Sequence, residues 1–194
     1  MAQALAGLIL AGGAGERFGG PKAFALLPGG QSFLDRCAAT LAAAGAHPIV
    51  ATLPPQTAGL AGTRVDALAL PAAGLDMFAS LRLGLERLLA DRRWTVVAML
   101  PVDHPLVAAA TVIGLAAVPA PAVVPVWRNK RGHPVCLARA VAARIVAGTL
   151  PGPTLRDALR AAGREDLAVD DPGVVANCNT PERLAAALAD SALR

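Results

Sequence analysis

A glycine-rich segment with two basic residues is the part of the sequence best suited to bind phosphate. Residues 10–22 read L-A-G-G-A-G-E-R-F-G-G-P-K, with five glycines in the nine residues 12–20. Glycines let a phosphate approach the backbone and allow successive N–H groups to point inward. Arg17 can fork onto phosphate oxygens and Lys22 adds a point charge, so the segment suits a triphosphate. The alternative is a glycine-rich turn in which the basic residues stand by chance.

The segment fits neither of two familiar phosphate-binding loops. The dinucleotide fingerprint G-x-G-x-x-G fails because Phe18 stands at the third glycine position. The P-loop requires Gly-Lys-Ser/Thr, whereas Gly20 is followed by Pro21 and Lys22. The pattern therefore indicates a different type of nucleotide loop.

An aspartate after an apolar run is the best candidate for a metal ligand. Asp103 follows the predicted strand 95–100 and stands between Pro101 and Pro105, which hold it in a rigid, open position. Mg²⁺ prefers one or two carboxylates together with phosphate oxygens and water, and Asp103 fits that requirement. The alternative is a turn aspartate that caps the next helix. We interpret His104 as part of the pocket wall rather than as a base.

Alternating strands and helices must position these residues. Strands are predicted at residues 6–11, 48–53, 64–70, 95–100 and 167–169, with a hairpin joining 122–127 to 133–138. Helices are predicted at residues 33–44, 76–89, 108–117, 140–147 and 154–162, and from 181 onward. The predicted helix caps are Ser32 or Gln31, Asp76 and Thr180. The pattern predicts one α/β domain over residues 1–194, with a mostly parallel sheet covered on both faces and ligands at the carboxyl ends of its strands.

Charge and composition argue against several classes of partner. The net charge is +4, the densest basic run is residues 128–131, and aromatic residues make up only 3% of the chain. A nucleic-acid binder usually has a clustered basic stripe with aromatics for stacking, so we expect no nucleic-acid partner. Three well-separated cysteines argue against zinc and disulfide frameworks. The apolar N-terminus has no basic start, and no run reaches about 18 apolar residues, so we expect a cytoplasmic protein without a membrane partner.

The phosphate-binding candidate carries a resemblance to a known family. It resembles the L-A-G-G-x-x-x-R-x-G-x-x-K signature of the MobA-like and MocA-like NTP transferases, the molybdenum-cofactor nucleotidyltransferase type. The matched fixed positions are Leu10, Ala11, Gly12, Gly13, Arg17, Gly19 and Lys22. Asp103 lies in a Pro-x-Asp-x-Pro sequence that these proteins also carry. The resemblance implies a Rossmann-like three-layer α/β sandwich of the nucleotide-diphospho-sugar transferase type.

Two more segments are similar to this family's motifs. Residues 76–85 resemble a G-M-x-x-S-L-x-x-G-L segment beside the nucleotide base, which makes Ser80 and Arg82 candidates for base or phosphate contact. An amphipathic helix with a solvated Arg82 explains the same pattern. Residues 131–135 resemble a G-H-P turn on the acceptor side, where His133 either binds the acceptor or only shapes the turn.

The closing motif of the family, D-x-D/N-T-P-E-D, is matched with a departure. Asn177 and Asn179 stand where the MocA-like form carries aspartates, whereas the N-T-P-E portion is intact. An Asn oxygen can ligate Mg²⁺ but brings no charge, so the second metal ligand, Asn179, is expected to be neutral. Metal affinity is therefore expected to be lower than in the aspartate form.

The resemblance implies a nucleotidyltransferase that uses Mg²⁺ and an NTP. An acceptor phosphate oxygen would attack the α-phosphorus and pyrophosphate would leave. The implied catalytic residues are Arg17, Lys22 and Asp103; the nucleotide-binding residues are Leu10, Ala11, Gly12, Gly13, Gly15, Arg17, Lys22, Ser80 and Arg82; the metal ligands are Asp103 and Asn179; the acceptor residue is His133.

The branch of the family that the chain resembles suggests the identity of the donor and the acceptor. The sequence around Asp103 and His133 is closer to that of the MocA-like branch. This branch implies CTP as donor, with GTP as second choice, and molybdopterin as acceptor. One alternative keeps the enzyme class and changes the acceptor to a sugar or polyol phosphate. Another is a non-catalytic nucleotide- or cofactor-binding maturation chaperone that delivers a cofactor to a molybdoenzyme.

Overall fold

The computed structural model describes residues 4–13, 20–62, 64–72 and 75–192. Within these ranges the chain forms eight strands, namely β1 (Leu5–Leu10), β2 (Ile49–Leu53), β3 (Asp66–Ala69), β4 (Val96–Pro101), β5 (Ala122–Trp127), β6 (Lys130–Arg131), β7 (Val135–Ala138) and β8 (Arg164–Ala168). The α-helices of the same ranges are α1 (Phe33–Ala43), α2 (Met77–Leu89), α3 (Ala109–Ala117), α4 (Arg139–Val146), α5 (Leu155–Ala162) and α6 (Pro181–Ala192). None of these helices has the length and apolar character needed to cross a bilayer.

All strands belong to one mixed sheet. Its order is β3-β2-β1-β4-β7-β5-β6, and β8 pairs with β5 outside this path. The pairs β1–β2, β2–β3, β1–β4 and β5–β8 are parallel, whereas β7 and β6 are antiparallel to their neighbours. In the central pair Leu10 lies opposite Pro101, so β1 and β4 end side by side. The segments that follow these two strands are thereby brought to one edge of the sheet.

Helices cover both faces of the sheet, which confirms the predicted three-layer α/β sandwich. One core contains buried side chains of α1, α3 and α6, including Phe33, Val112 and Leu184. The other contains those of α2 and α4, including Leu85 and Val141. The central strands β1, β2 and β4 are buried almost throughout, which explains why they read as continuous apolar runs.

The predicted caps of the helices beside the site are present. The Ser32 hydroxyl accepts a hydrogen bond from the Asp35 amide at 3.0 Å. The Asp76 carboxylate accepts from the Phe78 and Ala79 amides at 2.9 and 3.0 Å. These oxygens pair amides that the first turn of a helix leaves unpaired, so they fix where α1 and α2 begin.

The structure differs from the sequence prediction at two places near the end of the sheet. Strand β8 covers Arg164–Ala168 instead of residues 167–169, because Gly163 adopts φ 84° and ends α5 directly before it. Its residues are largely polar and partly exposed, so no apolar run marks it. In the hairpin the turn lies at Arg128 and Asn129, which both have positive φ, and β7 begins at Val135 rather than His133.

Candidate functional site

A cavity of about 280 Å³ lies at the ends of β1 and β4, and we call it the strand-end cavity. It is lined by Leu10, Ala11, Gly12, Gly13, Lys22, Leu75, Met77, Ser80, Pro101, Val102, Asp103, His104, His133 and Asn177. The backbone that leaves β1 is fixed to both neighbouring strands, since the Ala11 amide donates to the Thr52 carbonyl at 3.0 Å and the Val102 amide donates to the Leu10 carbonyl at 3.0 Å.

Two glycines after β1 have different surroundings. A Cβ on Gly12 would stand 2.4 Å from Leu70 Cδ1 and 3.4 Å from Ser80 Oγ, so a side chain there would force its neighbours apart. Gly13 has open space where a Cβ would stand and is exposed. The backbone at Gly13 is therefore accessible to a ligand in the cavity, as a phosphate contact requires.

Lys22 connects the two polar sides of the cavity. It opens a short 3₁₀ helix at Lys22–Phe24. Its ammonium donates a hydrogen bond to Asn179 Oδ1 and lies 3.7 Å from Asp103 Oδ2. The Lys22 and Asp103 side chains are 23% and 18% exposed, so both charges are largely shielded from water yet open to the cavity.

Asp103 is held by the segment of residues 171–179, which we call the closing segment. Asn177 Nδ2 donates to Asp103 Oδ2 at 3.1 Å, and the Cys178 amide donates to the Asp103 carbonyl at 2.8 Å. The carboxylate therefore points at the Lys22 ammonium from a backbone that is fixed on two sides. Asn177 Oδ1 is buried and has no hydrogen-bond partner within the described residues.

Asp171 anchors the closing segment to the start of α3. Its carboxylate accepts from the Ala108 amide at 2.9 Å, the Thr111 hydroxyl at 2.7 Å and the Gly173 amide at 2.8 Å. Asp171 is only 8% exposed, and three donors compensate its burial. No role was predicted for Asp171, and its place before Pro-Gly was the one available signal of a turn.

Two histidines line the same cavity as the glycines. The rings of His104 and His133 meet edge to face, with centroids 4.9 Å apart. Burial lowers the pKa of both imidazoles, and His104 helps to bring the pKa of His133 to about 4. The pair is therefore neutral at pH 7. His133 is positioned by its amide, which donates to the Val174 carbonyl at 2.8 Å.

The structure brings most of the predicted residues together and separates one. Asn179 is connected to the strand-end cavity by the hydrogen bond that it accepts from Lys22. The predicted residues that line the cavity are Leu10, Ala11, Gly12, Gly13, Lys22, Ser80, Asp103 and His133. Gly15 and Arg17 lie outside the described residues.

Arg82 lies apart from the other predicted nucleotide-binding residues, and its contact with the nucleotide stays a prediction. Its guanidinium donates to the Val146 carbonyl of α4 at 3.0 Å and does not line the strand-end cavity. Ser80 does line it, and two residues along a helix turn a side chain by about 200°, so Ser80 and Arg82 face opposite sides of α2. His104 lines the cavity, as its predicted place in the pocket wall requires, whereas Asn177 lines it although no binding role was predicted for it.

A family comparison identifies this architecture. The family model described as the MobA-like NTP transferase domain matches residues 7–168. The chain belongs to this family. Its members are nucleotidyltransferases by description, and the matched range contains most of β1, all of β4 and the residues between them that line the strand-end cavity.

Solved structures share the MobA-like fold over nearly the whole chain. Rv0371c from Mycobacterium tuberculosis H37Rv is 23% identical, with a TM-score of 0.80 and 97% of this chain and 100% of that chain covered. A structure of Rv0371c in complex with manganese is 20% identical, with a TM-score of 0.74 and 96% and 98% covered.

Two other solved structures carry names that specify an activity or pathway. Molybdopterin-guanine dinucleotide biosynthesis protein A from Archaeoglobus fulgidus is 16% identical, with a TM-score of 0.68 and 97% and 99% covered. The 2-C-methyl-D-erythritol 4-phosphate cytidylyltransferase from Thermus thermophilus is 19% identical, with a TM-score of 0.67 and 99% and 100% covered. No curated protein sequence matches the chain significantly. At these identities the likeness establishes the fold.

The oxygen atoms of this MobA-like site fit a hard divalent cation that also takes oxygens from its substrate. The described residues contain no cluster of three His, Cys, Asp or Glu side chains that could hold a metal by themselves. Asp103 offers one carboxylate, and Asn177 Oδ1 is an unpaired buried acceptor beside it. Mg²⁺ is commonly bound by one or two carboxylates and substrate phosphates, and one carboxylate with an amide oxygen is a donor set of this kind.

Proposed function

We propose that the chain transfers a nucleoside monophosphate from Mg-NTP to a phosphorylated acceptor and releases pyrophosphate. The observation that carries the proposal is that Gly13, Lys22 and Asp103 meet in one cavity at the ends of two adjacent parallel strands. An open backbone, a cation and a carboxylate are the groups that a triphosphate with its metal requires.

Each group has a role that follows from its position. The NTP would lie over the glycines after β1, and Lys22 would leave Asn179 and Asp103 to neutralise phosphate charge. Arg17 is proposed to act with Lys22. Asp103, together with an amide oxygen of Asn179 or Asn177, would hold Mg²⁺, which supplies charge neutralisation on the phosphates when it is bound.

The reaction needs positioning more than proton transfer. An acceptor phosphate is ionised at neutral pH, so its oxygen can attack the α-phosphorus in line without a general base. The lowered pKa values of the His104 and His133 imidazoles agree with this, because they make both rings weak bases at neutral pH. His133 is proposed to contact the acceptor as a neutral polar group.

CTP is the proposed donor, with GTP as second choice, and molybdopterin is the proposed acceptor. The MocA-like sequence around Asp103 and His133 supports this choice. The A. fulgidus protein is named for molybdopterin-guanine dinucleotide biosynthesis and the T. thermophilus protein for cytidylyl transfer to a polyol phosphate. A sugar or polyol phosphate is therefore the acceptor to test beside molybdopterin.

A second candidate function rests on the closing segment. Asn177 and Asn179 bring amides instead of carboxylates to the metal side, and Lys22 occupies both Asn179 and Asp103. A site with weak metal affinity suits a chaperone that binds a nucleotide or cofactor and hands it to a molybdoenzyme without turnover.

The experiment measures pyrophosphate release with each of the four NTPs, Mg²⁺, and either molybdopterin or a polyol phosphate. Turnover with one NTP and molybdopterin supports the proposal and identifies the base. Turnover only with the polyol phosphate changes the acceptor. Tight NTP binding without pyrophosphate release for any pair rejects transfer to these two acceptors and supports the chaperone.

A further inference from the structure

The backbone that carries Asp103 is held on one side by α1. Residues 102–108 connect β4 to α3, and we call them the Asp103 segment. Three side chains of α1 donate to carbonyls of this segment, namely the Arg36 Nε at 3.4 Å, the Cys37 thiol at 3.8 Å and the Thr40 hydroxyl at 3.4 Å. Because α1 is packed in the core, this side of the Asp103 segment has a fixed support.

The closing segment holds the other side of the Asp103 segment. Near its end, the Cys178 amide donates to the Asp103 carbonyl at 2.8 Å. In its middle, Gly173 approaches so closely that a Cβ would stand 2.3 Å from the Leu106 carbonyl oxygen. The two segments are therefore in direct backbone contact, and a shift of the closing segment would be passed on to Asp103.

Asp171 joins the two segments at the start of α3. Its Oδ2 accepts from the Ala108 amide at 2.9 Å and the Thr111 hydroxyl at 2.7 Å, whereas its Oδ1 accepts from the Gly173 amide at 2.8 Å. One carboxylate thus ties α3 to the closing segment through both of its oxygens. An asparagine has only one acceptor oxygen, so in Asp171→Asn one of the two backbone amides would lose its acceptor.

The same arrangement determines which oxygen of Asp103 is occupied. A short 3₁₀ helix at Pro172–Val175 leads from Asp171 toward Asn177, whose Nδ2 donates to Asp103 Oδ2 at 3.1 Å. Within the described ranges Asp103 Oδ1 has no hydrogen-bond partner, and His104 Nε2 lies 3.9 Å from it. Asn177 Oδ1 is likewise a buried acceptor that no described residue pairs. Two of the oxygens proposed for the metal are therefore left unpaired by the closing segment.

We propose that Asp171 is a positioning residue for the metal: it holds the closing segment so that Asn177 occupies Asp103 Oδ2 and leaves Asp103 Oδ1 for the cation. The inference rests on the proposed function and adds a residue that lies outside the strand-end cavity. Hydrogen-bond partners behind a metal ligand orient it, and their loss typically costs about 10- to 100-fold in metal affinity or activity. Asp171 acts through Asn177 and the backbone, so we expect the lower end of this range.

Mn²⁺ binding, measured by electron paramagnetic resonance of the free ion, tests this role without turnover. Asp171→Asn should weaken Mn²⁺ binding about tenfold. Thr111→Val removes one donor to Asp171 and should weaken it about threefold, whereas Thr111→Ser keeps the hydroxyl and should bind as the wild type does. Val112→Ala is the matched control, because it truncates a fully buried side chain of the same helix and lowers stability without removing a hydrogen bond.

The metal dependence of transfer gives a second measurement. Asp171→Asn should need about tenfold more Mg²⁺ than the wild type for half-maximal pyrophosphate release. Val112→Ala should need the wild-type concentration, although urea titrations should show that it too is less stable. A residue that only stabilised the fold would not shift this concentration.

Three results would overturn the role of Asp171. These are wild-type Mn²⁺ affinity in a folded Asp171→Asn, equal weakening in Thr111→Ser and Thr111→Val, and equal weakening in Val112→Ala. The two Thr111 variants decide the matter if Asp171→Asn does not fold. Failure of the proposed function looks different, because the Mn²⁺ affinities would then follow the expected order while no NTP released pyrophosphate.

Discussion

The contact of Lys22 with Asp103 predicts that this lysine opposes metal binding when no nucleotide is present. The ammonium lies 3.7 Å from Asp103 Oδ2 and also donates to Asn179, so two of the proposed metal-side oxygens already hold a cation. Lys22→Met keeps the length of the side chain and removes the charge. We therefore expect the variant to bind a free divalent cation more tightly than the wild type.

The magnitude follows from Coulomb's law. Unit charges 3.7 Å apart interact by about 4.5 kcal/mol at an effective dielectric constant of about 20, and by about 1 kcal/mol in water. The lower end applies because the cavity is open and a displaced lysine regains hydration. A gain of about 1.4 kcal/mol corresponds to about tenfold tighter binding in Lys22→Met.

Electron paramagnetic resonance of Mn²⁺ measures the free ion directly and needs no turnover. Lys130→Met is the matched control, because Lys130 is the other lysine of the chain and lies exposed in β6. The control should bind Mn²⁺ as the wild type does. With an NTP and acceptor present, Lys22→Met should instead lose about 2 to 4 kcal/mol of transition-state stabilisation in kcat/KM, because the phosphates then lack the lysine ammonium.

An unchanged or weaker Mn²⁺ affinity in Lys22→Met would refute this reasoning. The ion would then bind away from Asp103 and Asn179, or the ammonium would not compete for them. A similar gain in Lys130→Met would attribute the effect to overall charge.

The remaining predictions concern stability. Gly132→Ala should lower the free energy of unfolding by at least about 2 kcal/mol, because its Cβ would stand 2.1 Å from the Val174 carbonyl oxygen. A Cβ at Gly114 in α3 would face open space, so Gly114→Ala should raise the free energy of unfolding by about 0.5 to 1 kcal/mol. Urea titrations of both variants measure these changes. Burial lowers the pKa of His133 from 6.5 to about 4, so the unfolded chain takes up the proton first as pH falls. Stability should therefore drop by roughly 2 kcal/mol between pH 7 and 4.5, and by clearly less in His133→Gln; equal slopes would contradict the pKa assignment.

The sheet and the meeting of its two polar segments were predictable from the sequence. Continuous apolar runs at β1 and β4 indicate buried parallel strands, and both lead into polar segments whose chemistry is readable. Side-chain capping by Asp76 follows from local chemistry alone. These features depend on residues close in sequence or on the general rule for strand ends.

The details that were missed depend on packing between distant segments. Strand β8 has no apolar pattern because its side chains are partly exposed at the far side of the sheet. Arg82 lies on the face of α2 that meets α4, and helical spacing alone does not say which polar face meets a neighbour. The contact of Lys22 with Asn179 joins residues 157 positions apart, which no local pattern encodes.

The central claim is that Asp103 supports metal-dependent transfer of a nucleoside monophosphate. Its most direct test is transfer of the α-phosphorus label from CTP to molybdopterin by wild type, Asp103→Asn and the control Asp66→Asn, which removes the carboxylate of an exposed ion pair with Arg87. We expect label transfer by wild type and Asp66→Asn, and a loss of at least about a hundredfold in a folded Asp103→Asn. Equal transfer by Asp103→Asn would contradict this role of Asp103.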